Sequence, residues 1–497
     1  MKVLLTNPPW IVAKKRGVVA GSRWSFLTGP GLEGGYKPFP FFLAYAAAVL
    51  EQQKHDVGAI DACALDLDEE AFIGEIRKKS PDILVMEIAT ASAKPNLMLC
   101  KRIKEEVGCS VVLCGPHVSA LPREILLQNE FIDYVLIGEY EFTLRGLIQA
   151  LENGENLNGV KGIALRRNGD VIITPRRPPI DPLDQLPYPA RHLFPMDRYN
   201  EPFCRHSPNL QMLTSRGCPY RCVFCLWPQV LYGERRHRAH TPERVANEVE
   251  HVVGKYHPQE IYFDDDTGTI SKKRILDICK LFQERGINIK WSIMGHILTV
   301  DKEMLEKMAE VGCVGIKFGV ESADLEILRK AKKDMDLNKV GQVVRWCKDL
   351  DIKCHLTFTF GLPGETKKSI EKTIKFALGL DPDSMQFSMT VPFPGTELYE
   401  LAKHNGWLVS EDWDDYDGAR CSVISYPWLH AKEIENAFTL ATSLWALRKT
   451  IKRGEVIKFV TSIVKSQGPK EALLTVVSRL PYLVKYPRFR SGKTPES

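Results

Sequence analysis

Short apolar runs alternate with helical patterns along most of this chain. That alternation constrains the fold more than any other feature, because strands that alternate with helices form parallel sheets covered on both faces. In the first part the runs are Val3 to Leu5, Ala59 to Asp61, Asp82 to Glu87, Ser110 to Cys114 and Tyr134 to Ile137. They resume at Gln211 to Ser215, Glu260 to Phe263, Lys290 to Ile293, Gly315 to Phe318, His355 to Phe360 and Ser384 to Met389. The first series predicts an open, doubly wound α/β unit, and the second predicts strand-helix units closing a partial barrel. In both architectures ligands bind at the carboxyl ends of the strands. Between the two series, Gly159 to Thr174 reads as a hairpin turning at Asn168-Gly169-Asp170. Pro175 to Pro195 is dense in proline and reads as a stiff connector. The expected division is residues 1–151, a hairpin and linker over 152–204, a barrel over 205–427 and a basic helical region over 428–497.

At 497 residues, 44% hydrophobic and 26% charged, the chain has the composition of a soluble globular protein with room for two cores. The opening MKVLLTNPPW lacks the pattern of a secretory signal, and no apolar stretch is long enough to span a membrane, so a cytoplasmic protein is expected. In that setting cysteines stay reduced, and Cys63, Cys100, Cys279, Cys313 and Cys347 read as small buried hydrophobes.

One group of cysteines has ligand spacing. The segment TSRGCPYRCVFC places Cys218, Cys222 and Cys225 in one loop after the first barrel strand. Three thiolates with no evident fourth partner suit an iron-sulfur cubane with one open iron, whereas a structural zinc site closes four ligands. Cys204 is the nearby cysteine that would complete a zinc set.

This loop, with Phe224 before the last cysteine, resembles the cluster loop of the radical S-adenosylmethionine (SAM) superfamily. Later segments resemble that family's later motifs in order. Asp264, Asp265 and Asp266 stand where the family meets the SAM amino group. Gly315 to Glu321 resembles the strand that lines the SAM site, and Gly361-Leu362-Pro363-Gly364 resembles a sixth-strand turn. Val391 to Leu398 resembles the barrel close of cobalamin-dependent members. The resemblance implies a [4Fe-4S] cluster on the three cysteines and a SAM site at Phe224, Asp264, Asp265, Asp266, Glu321, Gly361 and Pro363. The bland alternatives are a surface salt bridge for Glu321 and a turn without ligand contact for the glycines.

The front segments Asn7-Pro8-Pro9, Gly21-Ser22-Arg23-Trp24, Pro38 to Leu50, Gly115-Pro116-His117 and Gly138-Glu139 resemble the cobalamin-binding domain fused to many radical SAM enzymes. The implied fold is a Rossmann-like (flavodoxin-like) cobalamin-binding domain, then a partial (β/α)6 TIM-type radical SAM barrel and a helical C-terminal tail. The implied cobalamin contacts are Asn7, Thr90, Ser92, Gly115, His117, Gly138 and Glu139. A flavodoxin-like domain without cobalamin is the alternative. No Asp-x-His-x-x-Gly is present, Asp61-Ala62-Cys63-Ala64 standing in its place, so no histidine of that motif coordinates cobalt. A lone His117 beside a Gly-Pro turn reads as a loop hydrogen-bonding residue.

Leu226-Trp227-Pro228-Gln229, Gly233 and the basic run from Arg235 to Arg238 resemble the hopanoid-type subgroup, with packing in the core the leading reading of Trp227 itself. The family resemblance implies cleavage of SAM to a 5′-deoxyadenosyl radical that acts on an unactivated carbon. C-methylation is the leading outcome, and radical ring formation or rearrangement of a lipid or polyol side chain is the alternative. A non-catalytic cobalamin or cluster sensor is the reading of a different class. A flavodoxin- or ferredoxin-type electron donor is implied as partner. From Arg448 to Lys493 twelve Lys or Arg face two Glu, an excess of ten against five for the whole chain. Interleaved with Leu473 to Val484, that charge suits an anionic membrane surface and a lipid substrate. A basic solvated face over a packed helix is the alternative, and nucleic acid is not expected because no recognised module accompanies the charge.

Overall fold

The computed structural model describes residues 1–12, 15–21, 26–27 and 35–453. Strands β1 (Lys2–Asn7), β2 (Asp56–Asp61), β3 (Ile83–Glu87), β4 (Ser110–Cys114) and β5 (Tyr134–Leu136) pair in parallel in the order 2-1-3-4-5. This is the flavodoxin-like order, whose winding reverses between β1 and β3 and opens a crevice at their carboxyl ends. β3 is buried along its whole length, and β1 and β4 are buried after their first residues. Strands covered on both faces carry unbroken apolar runs for that reason.

The hairpin corrects the expected division. Its strands, β6 (Ile163–Arg167) and β7 (Asp170–Ile173), extend the same sheet, β6 pairing antiparallel with β5. A lone hairpin is marginal in water, and the open edge of β5 supplies its missing partner. The first unit therefore reaches Ile173. The proline-rich connector then runs over helix α1 (Phe41–Glu51), with Ile180, Leu183, Leu186 and Phe194 joining the core and the Ala190 N–H donating to the Ala44 carbonyl.

The second sheet is wholly parallel and in sequence order: β8 (Asn209–Met212), β9 (Glu260–Phe263), β10 (Lys290–Gly295), β11 (Cys313–Glu321), β12 (Lys353–Phe360) and β13 (Ser384–Met389). The expected run Gln211 to Ser215 divides. Its start belongs to β8, while Ser215–Arg216 leaves the barrel to pair with Arg238–Ala239. At the amino end, Phe203 packs edge-on against Tyr262 and His355 and plugs the barrel.

The two units share one interface. Helix α1 is apolar on all sides because it is covered on all sides, and its Phe42 packs on Trp227 with ring centroids 5.4 Å apart. After β13 the chain passes back over the N-terminal unit, where Asp412 pairs with Lys94 and Trp413 packs edge-on to His117. It ends in helix α2 (Ala431–Arg453), which packs on β12 and β13. Most of the basic tail and the Ser22 to Trp24 loop lie outside the described residues. No helix among the described residues is long and apolar enough to cross a membrane.

Candidate active site at the domain interface

The cysteine loop starts at a turn that requires glycine. Gly217 has φ +84°, and a Cβ there would lie 2.1 Å from the Arg236 carbonyl oxygen. Beyond it, Cys222 is buried and Cys218 and Cys225 are partly exposed. Burial pushes the Cys218 and Cys222 thiols up, and the Lys333 ammonium beside both opposes that shift. The Thr267 hydroxyl donates to Cys218 Sγ at 3.5 Å. The side-chain amide of Gln229 donates to the carbonyls of Cys222, Val223 and Cys225 at 3.2, 3.1 and 2.7 Å, while its oxygen accepts from the Glu397 N–H. The loop is thus held at several points while two of its thiols, Cys218 and Cys222, share one cationic neighbour, an arrangement that fits thiolate ligation of a cluster. Cys204 lies elsewhere, beside Glu260 at the opposite end of β9, and so cannot be a fourth ligand.

The three aspartates have separate surroundings. Asp265 is fully buried, and its carboxylate accepts from the Thr214 N–H and hydroxyl and the Ser215 N–H at 2.6, 2.5 and 2.9 Å. These bonds tie the end of β8 to the end of β9. Asp266 accepts from the Gly217 N–H and the Tyr232 hydroxyl at 2.7 and 2.8 Å. With Asp264 it lines a small cavity completed by Phe41, Phe42, Leu213 and Trp227 from both units. Trp227 also packs with Tyr232, so its contacts are those of a core residue facing a cavity.

The remaining expected SAM residues come together around the loop. Phe224 packs against Ile327, Ala331 and Leu362, and Leu362 sits between Gly361 and Pro363. Glu321 ends β11 at a bulge with φ +69°, and Lys333 stands 3.3 Å from its carboxylate. The 361–364 turn is fixed from beneath. Glu365 accepts from the Gly361 N–H at 2.5 Å, and the Tyr426 hydroxyl donates to the Gly361 carbonyl at 2.8 Å.

At the crevice of the first sheet, two of the expected contact residues, Asn7 and Glu139, have partners within the protein. The Asn7 amide donates to Asp61 at 2.8 Å and its oxygen accepts from the Ala20 N–H. Glu139 accepts from the Ile180 N–H, from Arg216 and twice from Arg238, at 2.7 to 3.1 Å. Its charge belongs to the interface between the units. Thr90 and Ser92 are buried in the turn after β3, where the Ser92 hydroxyl donates to the Ala89 carbonyl. Gly115 and Gly138, at φ +101° and +82°, let the chain pass close to Ile88 and to Arg176. His117 is 1% exposed, and burial lowers its ring to about 4. Around this rim Trp10 Nε1, Asn96 Oδ1 and His117 Nδ1 are buried without a partner among the described residues. Unpaired buried polar atoms of this kind fit a ligand rich in amides. A wider groove lined by Gln53, His55, Glu152 and Arg177 lies at the amino edge of the sheet, away from this site.

Sequence reasoning missed Lys333, His296, Tyr232 and Arg216, because each acquires its meaning from a partner distant in the chain. Their local signal was weak, although Arg216 directly precedes the cluster loop.

Residues 212–377 match the model of the radical SAM superfamily, and residues 31–148 match that of the B12 binding domain. An uncharacterized methyltransferase of Pyrococcus horikoshii is 36% identical over 84% of this chain and 86% of its own. The hopanoid C-3 methylase of Methylococcus capsulatus is 25% identical over 76% and 71%. The structure of the radical SAM methyltransferase TsrM from Kitasatospora setae, with cobalamin and a [4Fe-4S] cluster bound, superposes with a TM-score of 0.64 at 18% identity, covering 82% of this chain and 76% of that one. The cobalamin-dependent SAM radical enzyme OxsB superposes with a TM-score of 0.70 at 16% identity over 98% and 72%.

Proposed function

This chain belongs to the radical SAM superfamily with a B12-binding domain, and from that premise we propose that it transfers a methyl group to an unactivated carbon of a small-molecule substrate. Its cofactors are a [4Fe-4S] cluster, SAM and cobalamin. When bound, these groups supply hydrogen abstraction and a transferable methyl group, chemistry that side chains alone lack. The protein's part is to hold both sites against one interface and keep water out.

The observation that carries the proposal is the buried charge cluster between the units. Arg216, one residue before the cluster-loop turn, meets Glu139 at 3.1 Å and Glu141 at 2.7 Å, and Arg238 meets Glu139 at 2.9 Å. The N-terminal unit thereby grips the base of the cysteine loop. Cys218, Cys222 and Cys225 hold the cluster, with Gln229 fixing their loop. Phe224, Glu321 and the 361–364 turn form the SAM side, and Asp264 and Asp266 face the cavity shared with the first unit.

A second reading is favoured by the anaerobic magnesium-protoporphyrin IX monomethyl ester cyclase of Rubrivivax gelatinosus, 27% identical over 73% of this chain and 66% of its own. Ring formation consumes SAM only as a radical source, whereas methylation consumes it also as a methyl donor. Anaerobic turnover with a panel of lipids and polyols separates them. Methylation yields S-adenosylhomocysteine together with 5′-deoxyadenosine and a product heavier by one methylene. 5′-Deoxyadenosine without S-adenosylhomocysteine overturns methylation in favour of ring formation, and absence of SAM cleavage overturns both.

A flavodoxin- or ferredoxin-type reductant and a cytoplasmic location complete the proposal. Contact with a membrane rests on the sequence of the tail alone, its basic excess beside the apolar residues from Leu473 to Val484. Co-sedimentation with anionic vesicles at low salt, lost at high salt and on truncation at Arg448, is the expected result; equal, negligible binding throughout removes the support for a lipid substrate.

A further inference from the structure

His296 is a fixed ring with one group left over. It follows the last residue of β10, at the end of the barrel where the cysteine loop lies, and is 6% exposed. Its backbone N–H donates to the Thr269 hydroxyl at 3.1 Å, and its carbonyl accepts from the Thr299 hydroxyl at 2.9 Å. Its ring stacks face to face on Tyr220, with centroids 4.0 Å apart and planes 17° from parallel. Tyr220 stands between Cys218 and Cys222, so the ring lies directly against the cluster loop.

The tautomer follows from one contact. Nδ1 accepts from the Leu298 N–H at 3.2 Å and therefore carries no proton. A neutral imidazole then carries its proton on Nε2. Burial and the nearby Lys333 and Lys339 ammoniums lower the ring to about 3, which keeps it neutral. Nε2 is nevertheless buried with no partner among the described residues. Because an imidazole N–H lies in the ring plane and that plane is nearly parallel to Tyr220, the proton points past the tyrosine and not into its face.

A buried donor flanked by two ammoniums selects an anionic oxygen as its partner. We propose that His296 Nε2 donates a hydrogen bond to the carboxylate of SAM bound at the cluster loop. The inference rests on the radical SAM reading above and gives that site a recognition residue for the amino-acid end of its cofactor. It makes His296 part of the discrimination between SAM and analogues that lack the carboxylate.

The test is equilibrium binding to the full chain with its cluster reconstituted. SAM is compared with decarboxylated SAM, which keeps the adenosine, the sulfonium and the amine. In His296→Ala the dissociation constant for SAM is expected to rise about tenfold or more while that for decarboxylated SAM stays unchanged, because one charge-assisted hydrogen bond is lost. His296→Gln, which offers an amide N–H, recovers part of the loss. Iron content and visible absorption verify that the cluster is retained in each variant. Unchanged SAM affinity in His296→Ala, or an equal loss for both ligands, overturns the inference. Absence of SAM binding to the parent protein overturns the reading on which it rests, so the two failures are distinct.

Discussion

Arg216 of the barrel and Glu141 of the N-terminal unit meet at 2.7 Å with side chains 2% and 0% exposed, off the line of a directed hydrogen bond. Glu139 and Arg238 complete the group, giving two positive and two negative charges taken out of water together. Such a group tolerates the loss of a matched pair better than the loss of one member.

Arg216→Met is accordingly expected to destabilise the protein by about 3–5 kcal/mol, because two carboxylates then compete for one buried guanidinium. Arg216→Met combined with Glu141→Leu leaves Glu139 with Arg238 and recovers much of the loss. Thermal unfolding of the three proteins is the measurement, and a double variant less stable than the single one contradicts the ion-pair account.

Replacing Cys218, Cys222 and Cys225 together with Ala removes the iron and the visible absorption of the anaerobically purified protein. Gln229→Leu keeps the thiols but leaves three loop carbonyls without their donor. Lower cluster occupancy, not complete loss, is expected there. Full iron content in the triple variant refutes the assignment.

Cobalamin is expected to bind with no protein histidine on cobalt. The ligand motif is absent at Asp61 to Ala64, and the His117 ring is packed edge-on to Trp413. Electron paramagnetic resonance of the bound cob(II)alamin should lack nitrogen superhyperfine splitting. A splitting that vanished in His117→Ala would make His117 the ligand.

Glu365 provides a pH dependence of known sign. Burial raises its carboxyl to about 8 from 4.5, so the folded chain keeps a proton that the unfolded chain releases. Its contribution to stability is therefore complete below about 4.5 and falls as pH rises towards 8. Asp61 and Glu87, raised by burial to about 6 and 7, act in the same direction, so only the difference between variant and parent isolates Glu365. Glu365→Gln should gain thermal stability relative to the parent between pH 6 and 8.5. A constant difference across that range would show that the carboxyl is ionised in the fold.

The elements legible in the sequence were those with a local cause. Parallel strands buried on both faces must be apolar without interruption, and Cys218, Cys222 and Cys225 must be close in sequence to share one loop. The partners of Asp265 and Glu139 are not legible in the sequence, because a carboxylate at a strand end looks alike whether it meets a ligand, the backbone or an arginine. The partners that decide the matter, Thr214 and Arg238, stand 51 and 99 residues away. The hairpin is legible at Asn168-Gly169-Asp170, but alternation shows only that two strands pair and not which third strand receives them. His296 gave no signal, since an unsatisfied nitrogen is a property of packing.

Helix α1 has a consequence for the making of the protein. Phe42 and Tyr45 lie under the Arg216 guanidinium, and Leu213, Leu231 and Tyr232 complete their cover, so the helix leaves the ribosome about 160 residues before its outer face can be buried. At ordinary rates of synthesis that interval lasts roughly ten to thirty seconds. During it, the nascent N-terminal half displays an apolar helix to solvent and to chaperones. An N-terminal half expressed alone would keep that face exposed permanently and would be recovered as aggregate, whereas barrel supplied on the same polypeptide keeps it soluble.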